Sequence, residues 1–294
     1  MPKERVFIMM KKNKNLFCNL FLAPAVILYT GFLVLAIGLT IYYSFLDWNG
    51  LGKAAFDGLT NYKRMFRDNM FWNTVKNTLI FIVLAVTLQN VLGIILAYAV
   101  SRIKKGYSFF RAVFFLPVIL TSAAIAQMFV LFFSQGGPVN WMLGLEKAWL
   151  SDPKTVLYCI IFPEVWQYVG TYFLIHLTGI QGIPEDVIES ARLDGASTPR
   201  ILVQVILPMM SEVIQVGILF SLINAVKSFN YSWLMAYGGP GTSSSYVSVY
   251  MYKTIFQNYE YGYGSALAAF MLLVLVVVTF LVKTISLIRE TQIY

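Results

Sequence analysis

The sequence predicts an all-α polytopic membrane protein with six transmembrane helices, and three observations carry that reading. Apolar residues make up 58% of the 294 residues and charged residues only 12%, against about 25% charged in soluble globular domains; the mean hydropathy is +0.69. Six apolar runs are each long enough to cross about 30 Å of hydrocarbon. Lysine and arginine gather beside alternate ends of those runs, as the positive-inside bias requires. No linker-like composition shift, low-complexity tract or strong internal repeat interrupts the chain, so residues 1–294 read as one transmembrane domain.

The first run, 16–45, follows the basic residues Lys3, Arg5, Lys11, Lys12 and Lys14. It is roughly twice the usual 7 to 15 residues of a signal-peptide core and lacks a convincing cleavage site, so it is expected to stay as a span. The others are 75–100, 109–133, 155–180, 205–226 and 265–288. An inside N-terminus puts those five basic residues, with Arg102, Lys104, Lys105, Arg111, Arg192, Arg200, Lys283 and Arg289, on the cytoplasmic side. They outnumber Lys53, Lys63, Arg64, Arg67, Lys76, Lys147, Lys154 and Lys253 outside, with Lys227 left inside the fifth span. Both termini, residues 1–15 included, are then cytoplasmic. Much of the outside charge lies in 61–76, where it alternates with Tyr62, Met65, Phe66, Phe71 and Trp72, which predicts an amphipathic helix at the outer interface. The Gly- and Ser-rich stretch 237–245 reads as a tight reversal of the chain.

Several chemistries are excluded. Cys18 and Cys159 lie in apolar runs without CxxC spacing and the chain has one histidine, so neither a disulfide framework nor a metal site is indicated. A net charge of +8 invites a nucleic-acid reading, but the basic residues are scattered among spans rather than clustered on one face, and no nucleic-acid partner is expected. The phosphate-cradling G-x-x-x-x-G-K-[ST] loop is missing: Gly50-Leu51-Gly52-Lys53 has the wrong spacing. With no nucleophile elbow, HExxH or paired carboxylates either, the chain is expected to be neither an enzyme nor the carrier of its own cofactor.

The longest polar interval deep in the chain, 183–208, carries its own folding signals. Pro184 suits a first helical position, and Glu185 and Asp186 put negative charge on the positive end of the helix dipole. Val187, Ile188 and Ala191 fall at helical spacing and give that helix one apolar face. Asp194-Gly195 supplies a residue free to take positive φ, and Thr198 before Pro199 offers a cap for a second helix. A helix, a glycine turn and a helix are expected.

Glu189-Ser190-Ala191, three residues, Gly195, nine residues, then Val205-Ile206-Leu207-Pro208 closely resembles the EAA loop of ABC-importer permeases, with Ser190 and Val205 as departures. Leu22-Ala23-Pro24, Ser44-Phe45-Leu46-Asp47-Trp48, Gly58-Leu59-Thr60-Asn61-Tyr62, Phe115-Leu116-Pro117 and Tyr237-Gly238-Gly239-Pro240-Gly241 are similar to the sugar-permease branch of the maltose-transporter type, so the resemblance covers essentially the whole chain. Gln127-Met128-Phe129 departs where relatives often carry a tryptophan. The resemblance implies a type I ABC importer permease fold with a cytoplasmic coupling loop at 183–208. That loop would meet an ATPase through Glu189, Ser190, Ala191, Asp194, Gly195, Ala196, Leu207 and Pro208. The implied partners are a second homologous permease, two ATPase subunits that hold ATP and magnesium, an extracytoplasmic solute-binding protein and membrane lipid, all at the bacterial cytoplasmic membrane. The implied cargo is a sugar or oligosaccharide.

Polar groups inside spans mark a candidate substrate path, because they are costly in lipid and face an interior. Trp166, Tyr168 and Tyr172, beside Gln167 on the fourth span, offer aromatic faces to a sugar's C–H surface. Asn224, Lys227, Ser228 and Asn230, towards the outer end of the fifth, offer hydrogen-bonding groups to its hydroxyls. Glu164 and Lys227 are placed to neutralise each other across the two spans, and His176 reads as a satisfied histidine near the cytoplasmic interface. Two other readings stay open. A phosphorylated or anionic polyol would ask for more inward basic groups than Lys227, and an ion-coupled secondary carrier would draw on Glu164 and Glu212.

Overall fold

The computed structural model describes residues 2–103 and 105–293, with side chains described at 22–103, 105–280 and Thr284. Lys104 and the side chains of Lys3, Arg5, Lys11, Lys12, Lys14, Cys18, Lys283 and Arg289 lie outside the described residues. Helix α1 (Pro2–Ser44) ends where β1 (Leu46–Asp47) and β2 (Ala55–Phe56) pair as a short antiparallel hairpin, Leu46 opposite Phe56. Then come α2 (Thr60–Arg67), α3 (Asn69–Ser101), α4 (Tyr107–Ile119), α5 (Ser122–Phe132), α6 (Pro138–Leu143) and α7 (Val156–Gln181). After α8 (Glu185–Leu193) and α9 (Thr198–Ile201), a π-helical stretch (Leu202–Ile206) and α10 (Leu207–Met209) lead into α11 (Ser211–Val226). Last are α12 (Asn230–Ala236), α13 (Val247–Phe256) and α14 (Tyr261–Ile293).

Among the described residues three helices are long and apolar enough to cross a membrane: α1 over Leu22–Ser44, α3, and α14 over Tyr261–Phe280. The number reaches five if each of two bent pairs is one span. Those bends correct the straight third and fifth spans expected from the apolar runs. Helices α4 and α5 meet at 90°, and Thr198–Met209 meets α11 at 76°. At the first break Leu120 and Thr121 are extended, and Thr121 Oγ1 accepts from the Ala124 N–H to start α5 afresh. The second break falls at Met210, two residues beyond the expected junction at Pro208, whose missing N–H already weakens the ladder. Helix α7 has 26 residues but stands outside that count, because its buried face carries Glu164, Gln167 and His176.

The amphipathic helix expected over 61–76 is also divided. Asp68 leaves the helical region and caps α3, its Oδ1 accepting from the Met70 N–H at 2.8 Å. A short acceptor side chain bonded to the backbone competes with helix continuation, which ends α2 there. Met65 and Phe71 are consequently buried, and Phe66 and Trp72 are exposed.

The bundle is built around α3 and α7, which share its most extensive packing. Phe81, Ile125, Ile160, Tyr231 and Tyr246 form its main core, and a second cluster of Ala97, Phe173, Ile201, Ile206 and Met210 seats the 183–208 segment against the ends of α3 and α7. Helix α4 approaches α7 so closely at Gly170 that a Cβ there would lie 2.2 Å from the Phe114 carbonyl oxygen.

At the other end of α3, Asp68 also accepts from the hydroxyls of Tyr250 and, at 2.8 Å, Tyr263, clasping α13 and α14. Arg64 lies 4.2 Å over the Tyr263 ring and pairs with Glu260 at 2.8 Å. Burial pushes the Asp68 carboxyl up, but the hydrogen bonds from Tyr250, Tyr263 and the Met70 and Phe71 N–H groups outweigh it and hold the group below the usual carboxylate range. A depressed folded-state value means the contribution is fully present above the unfolded value of about 3.9 and is lost as pH falls through the folded one. Asp68→Asn is therefore expected to lower the melting temperature of the solubilised protein at pH 7, the gap from wild type closing only in acid. Melting curves across pH check this, and a gap that does not change with pH would show that charge is not the cause.

Candidate functional site

Two sites can be built from the residues upward: the 183–208 elbow and a cavity in the bundle. In the elbow, Pro184 is the residue before α8 rather than its first, with ψ 136°; the fixed φ of proline is compatible with either position. Gly195 takes φ +80°, and behind it the Ala196 N–H donates to the Ala191 carbonyl at 3.1 Å. L residues reach that region only at a cost of about 1–2 kcal/mol, so the turn depends on glycine. Helix α9 is preceded by Ser197, which makes no side-chain cap bond, and the expected cap Thr198 already lies inside the helix. Pro199 is tolerated in a first turn, which lets the helix begin one residue before it. The Thr198 carbonyl accepts instead from the Tyr98 hydroxyl, fastening the elbow to the end of α3.

Ile188, Ala191 and Ala196 pack against the bundle. Val187, expected on the same apolar face, is exposed, because the buried arc of α8 is narrow and covers only Ile188 and Ala191. Glu189, Ser190, Asp194, Gly195 and Pro208 are exposed and Leu207 is half-buried. Leu193, which sequence reasoning passed over, protrudes between them at 89% exposure; an isolated apolar residue flanked by Arg192 and Asp194 was the available signal.

A cavity of about 400 Å³ opens between α3, α7 and α11. Its wall collects Tyr168, Tyr172, Asn224, Lys227, Ser228 and Asn230. Trp166 is the one expected path residue it does not include. Two residues along a helix are about 200° apart, so Trp166 faces away from Tyr168 and packs edge-on against Phe129, ring centroids 5.8 Å apart. Gln89, Thr171, Ser221 and Tyr231 also line the cavity and were missed. Gln89-Asn90, a polar pair within an apolar run, was the legible signal for the first of them.

The expected neutralisation of Glu164 by Lys227 does not occur: among the described residues the ion pairs are Arg64–Glu260 and Lys147–Asp152. Helix α11 ends at Val226, which leaves Lys227 free to extend outward, exposed. The Glu164 carboxyl oxygens instead lie 2.7 and 2.9 Å from Ser228 Oγ. Gln167 is buried behind the wall, its Nε2 donating to the Leu120 carbonyl at 2.8 Å and its Oε1 accepting from the Tyr231 hydroxyl. It thereby satisfies the backbone group released by the α4–α5 break and ties that break to α7 and α12.

His176 is fully buried rather than interfacial, and half satisfied. Its Nε2 donates to Asn90 Oδ1 at 3.1 Å, while its Nδ1 has no partner among the described residues. Asn90 Nδ2 in turn donates to Ser221 Oγ at 2.9 Å. Three helices, α7, α3 and α11, are cross-linked by this chain on the elbow side of the cavity. Among the described residues no group of His, Cys, Asp and Glu is placed to hold a metal ion. Beside Glu164 and Lys227, which also line it, the cavity offers aromatic faces, amides and hydroxyls, which suits recognition of a polyhydroxylated molecule.

Comparison with known proteins places the chain among transport proteins. The family model described as "Binding-protein-dependent transport system inner membrane component" matches residues 89–287. A probable ABC transporter permease protein of Pyrococcus horikoshii is 34% identical over 92% of this chain and 95% of its own. The multiple sugar-binding transport system permease protein MsmF of Streptococcus mutans is 31% identical, covering 82% of this chain and 84% of its own. In three dimensions the chain is similar in fold to a chain of a bacterial ABC transporter involved in import of the acidic polysaccharide alginate, with TM-score 0.81, 24% identity, and coverage of 96% of this chain and 98% of that one.

Proposed function

The chain belongs to the family of binding-protein-dependent transport system inner membrane components, and from that premise we propose that it is the permease subunit of an ATP-driven importer that conducts a sugar or oligosaccharide through the cavity between α3, α7 and α11. The observation that carries this reading is the convergence of Tyr168, Tyr172, Asn224, Ser228 and Asn230 on one cavity of about 400 Å³. Aromatic faces with amides and hydroxyls match a sugar better than an ion, and the sugar-transport relative supports the same class of cargo.

Helix α7 adds to the five apolar spans to give six, with both termini and the elbow in the cytoplasm, as the lysine and arginine bias favours. The exposed elbow residues Glu189, Ser190, Leu193, Asp194 and Gly195 form the surface that an ATPase subunit engages, with Pro208 exposed at the junction and Ala191, Ala196 and Leu207 holding the elbow to the bundle. ATP and magnesium belong to that ATPase pair. A second permease completes the path, and an extracytoplasmic binding protein delivers the cargo.

Asn224→Ala is expected to raise the half-saturating concentration for uptake of a labelled oligosaccharide about tenfold, the effect of losing a hydrogen bond or two worth roughly 0.5–1.5 kcal/mol each. Transport assays in vesicles holding the assembled importer read this out. If Asn224→Ala, Ser228→Ala and Tyr172→Phe all leave half-saturation where it is, the cavity is not the path.

A further inference from the structure

The transport reading makes no use of a second cavity, about 430 Å³, at the end of α3 and α7 remote from the elbow. Lys76 and Asn77 of α3, Lys154 and Tyr158 at the start of α7, and Thr242 of the loop after Pro240 form its mouth, and Ile80 and Leu157 its apolar floor. No Asp or Glu lines it, and among the described residues neither Lys76 nor Lys154 is in an ion pair. Asp152, beside it in sequence, is engaged by the Lys147 ammonium at 2.9 Å and by the Lys154 backbone N–H at 2.9 Å. The mouth is held rigid as well as cationic: Asn77 Nδ2 donates to the Thr242 carbonyl at 2.7 Å and the Ser245 carbonyl at 3.2 Å, locking loop to helix.

What lies below the mouth decides the kind of ligand. On the same helix faces, three to seven residues further on, come Leu79 and Val83 of α3 and Phe162 of α7, all exposed and apolar with Tyr158. They run on the opposite side of α3 and α7 from the residues that line the substrate cavity. The ends of two spanning helices therefore present two lysines that are in no ion pair among the described residues, above an exposed apolar stripe. A soluble anion would use the cations alone, whereas a phospholipid of the surrounding bilayer joins a charged headgroup to an acyl chain that the lipid-facing stripe accommodates.

We propose that this cavity seats the phosphate headgroup of an anionic phospholipid, with an acyl chain lying along Leu79, Val83, Tyr158 and Phe162. Lys76 and Lys154 supply the charge, and the Tyr158 and Thr242 hydroxyls are placed to bond the phosphate oxygens.

The test is lipid retention by the full chain, purified in detergent and equilibrated with equal phosphatidylglycerol and phosphatidylcholine, counted by native mass spectrometry. Wild type is expected to prefer phosphatidylglycerol by roughly thirtyfold, the effect of two lysines near a headgroup. Lys76→Gln with Lys154→Gln should abolish the preference, whereas Lys53→Gln with Lys63→Gln, which removes the same charge from other exposed positions, should not. Equal loss in both double variants, or none in the first, would overturn the site. Displacement of the lipid by millimolar inorganic phosphate, or equally tight binding of glycerophosphoglycerol without acyl chains, would overturn the lipid assignment in favour of a free anion.

Discussion

Replacing Gly195 by tryptophan is expected to cut ATP-driven uptake by roughly 5- to 150-fold, the span of an ordinary coupling free energy, while the chain still folds and inserts. A Cβ built on Gly195 meets nothing within 4 Å, so a side chain can leave the turn without a clash at its root. It projects instead from the surface that carries Glu189, Leu193 and Asp194, where the proposed ATPase contact lies. The backbone is a second cost, because φ is +80° and any L residue there loses about 1–2 kcal/mol. Gly195→Ala separates the two, since it carries the backbone strain without the bulk. Uptake and ATP hydrolysis by the reconstituted importer, beside the melting temperature of each variant, distinguish the outcomes. Wild-type uptake by the Gly195→Trp variant would dismiss the elbow as a docking surface, and equal loss in both variants would assign the effect to the turn itself.

A large effect on stability is expected from a single methyl group at Gly170. In an open helix interior, Gly→Ala gains about 1 kcal/mol. At Gly170 the new Cβ would stand 2.2 Å from the Phe114 carbonyl oxygen and 3.1 Å from Phe115 Cα, backbone atoms that cannot rotate aside. Helix α4 must back away along its contact with α7, and overpacking of that kind costs about 1–3 kcal/mol, occasionally more. The control is Gly31→Ala in α1, where nothing lies within 4 Å and the ordinary gain should appear. Opposite signs of the two shifts in melting temperature are the expected result; a neutral Gly170→Ala would mean that α4 yields without penalty.

The spans of α1, α3 and α14 were legible because apolar composition over twenty residues has few other uses, and the Asp194-Gly195 turn because only glycine takes that φ cheaply. The bends were not. Thr121-Ser122 follows Leu120 in an otherwise apolar stretch, a pair that a straight span also tolerates, and the group that satisfies the Leu120 carbonyl is Gln167, 47 positions away, which no local pattern can announce. At the cavity, residue type alone selected Trp166 with Tyr168, although helical geometry puts two such neighbours on opposite sides; applying the same periodicity to α3 would have added Gln89. The Glu164–Lys227 pairing failed for a related reason, since opposite charges in neighbouring spans were matched without knowing that α11 stops one residue short of Lys227. Val187 was misplaced because three residues at helical spacing fix a direction but not how wide an arc the neighbours cover.

The break at Met210 changes what a push on the elbow can do. Across a 76° corner, thrust along Thr198–Met209 cannot travel as a piston stroke; it arrives at Ser211 as torque. Helix α11 then acts as a lever arm of roughly 24 Å, and a swing of about 10° would carry its far end some 4 Å. Asn224 and Ser228 sit at that far end, so in the proposed topology a small tilt at one face of the membrane would become a change in bore at the other.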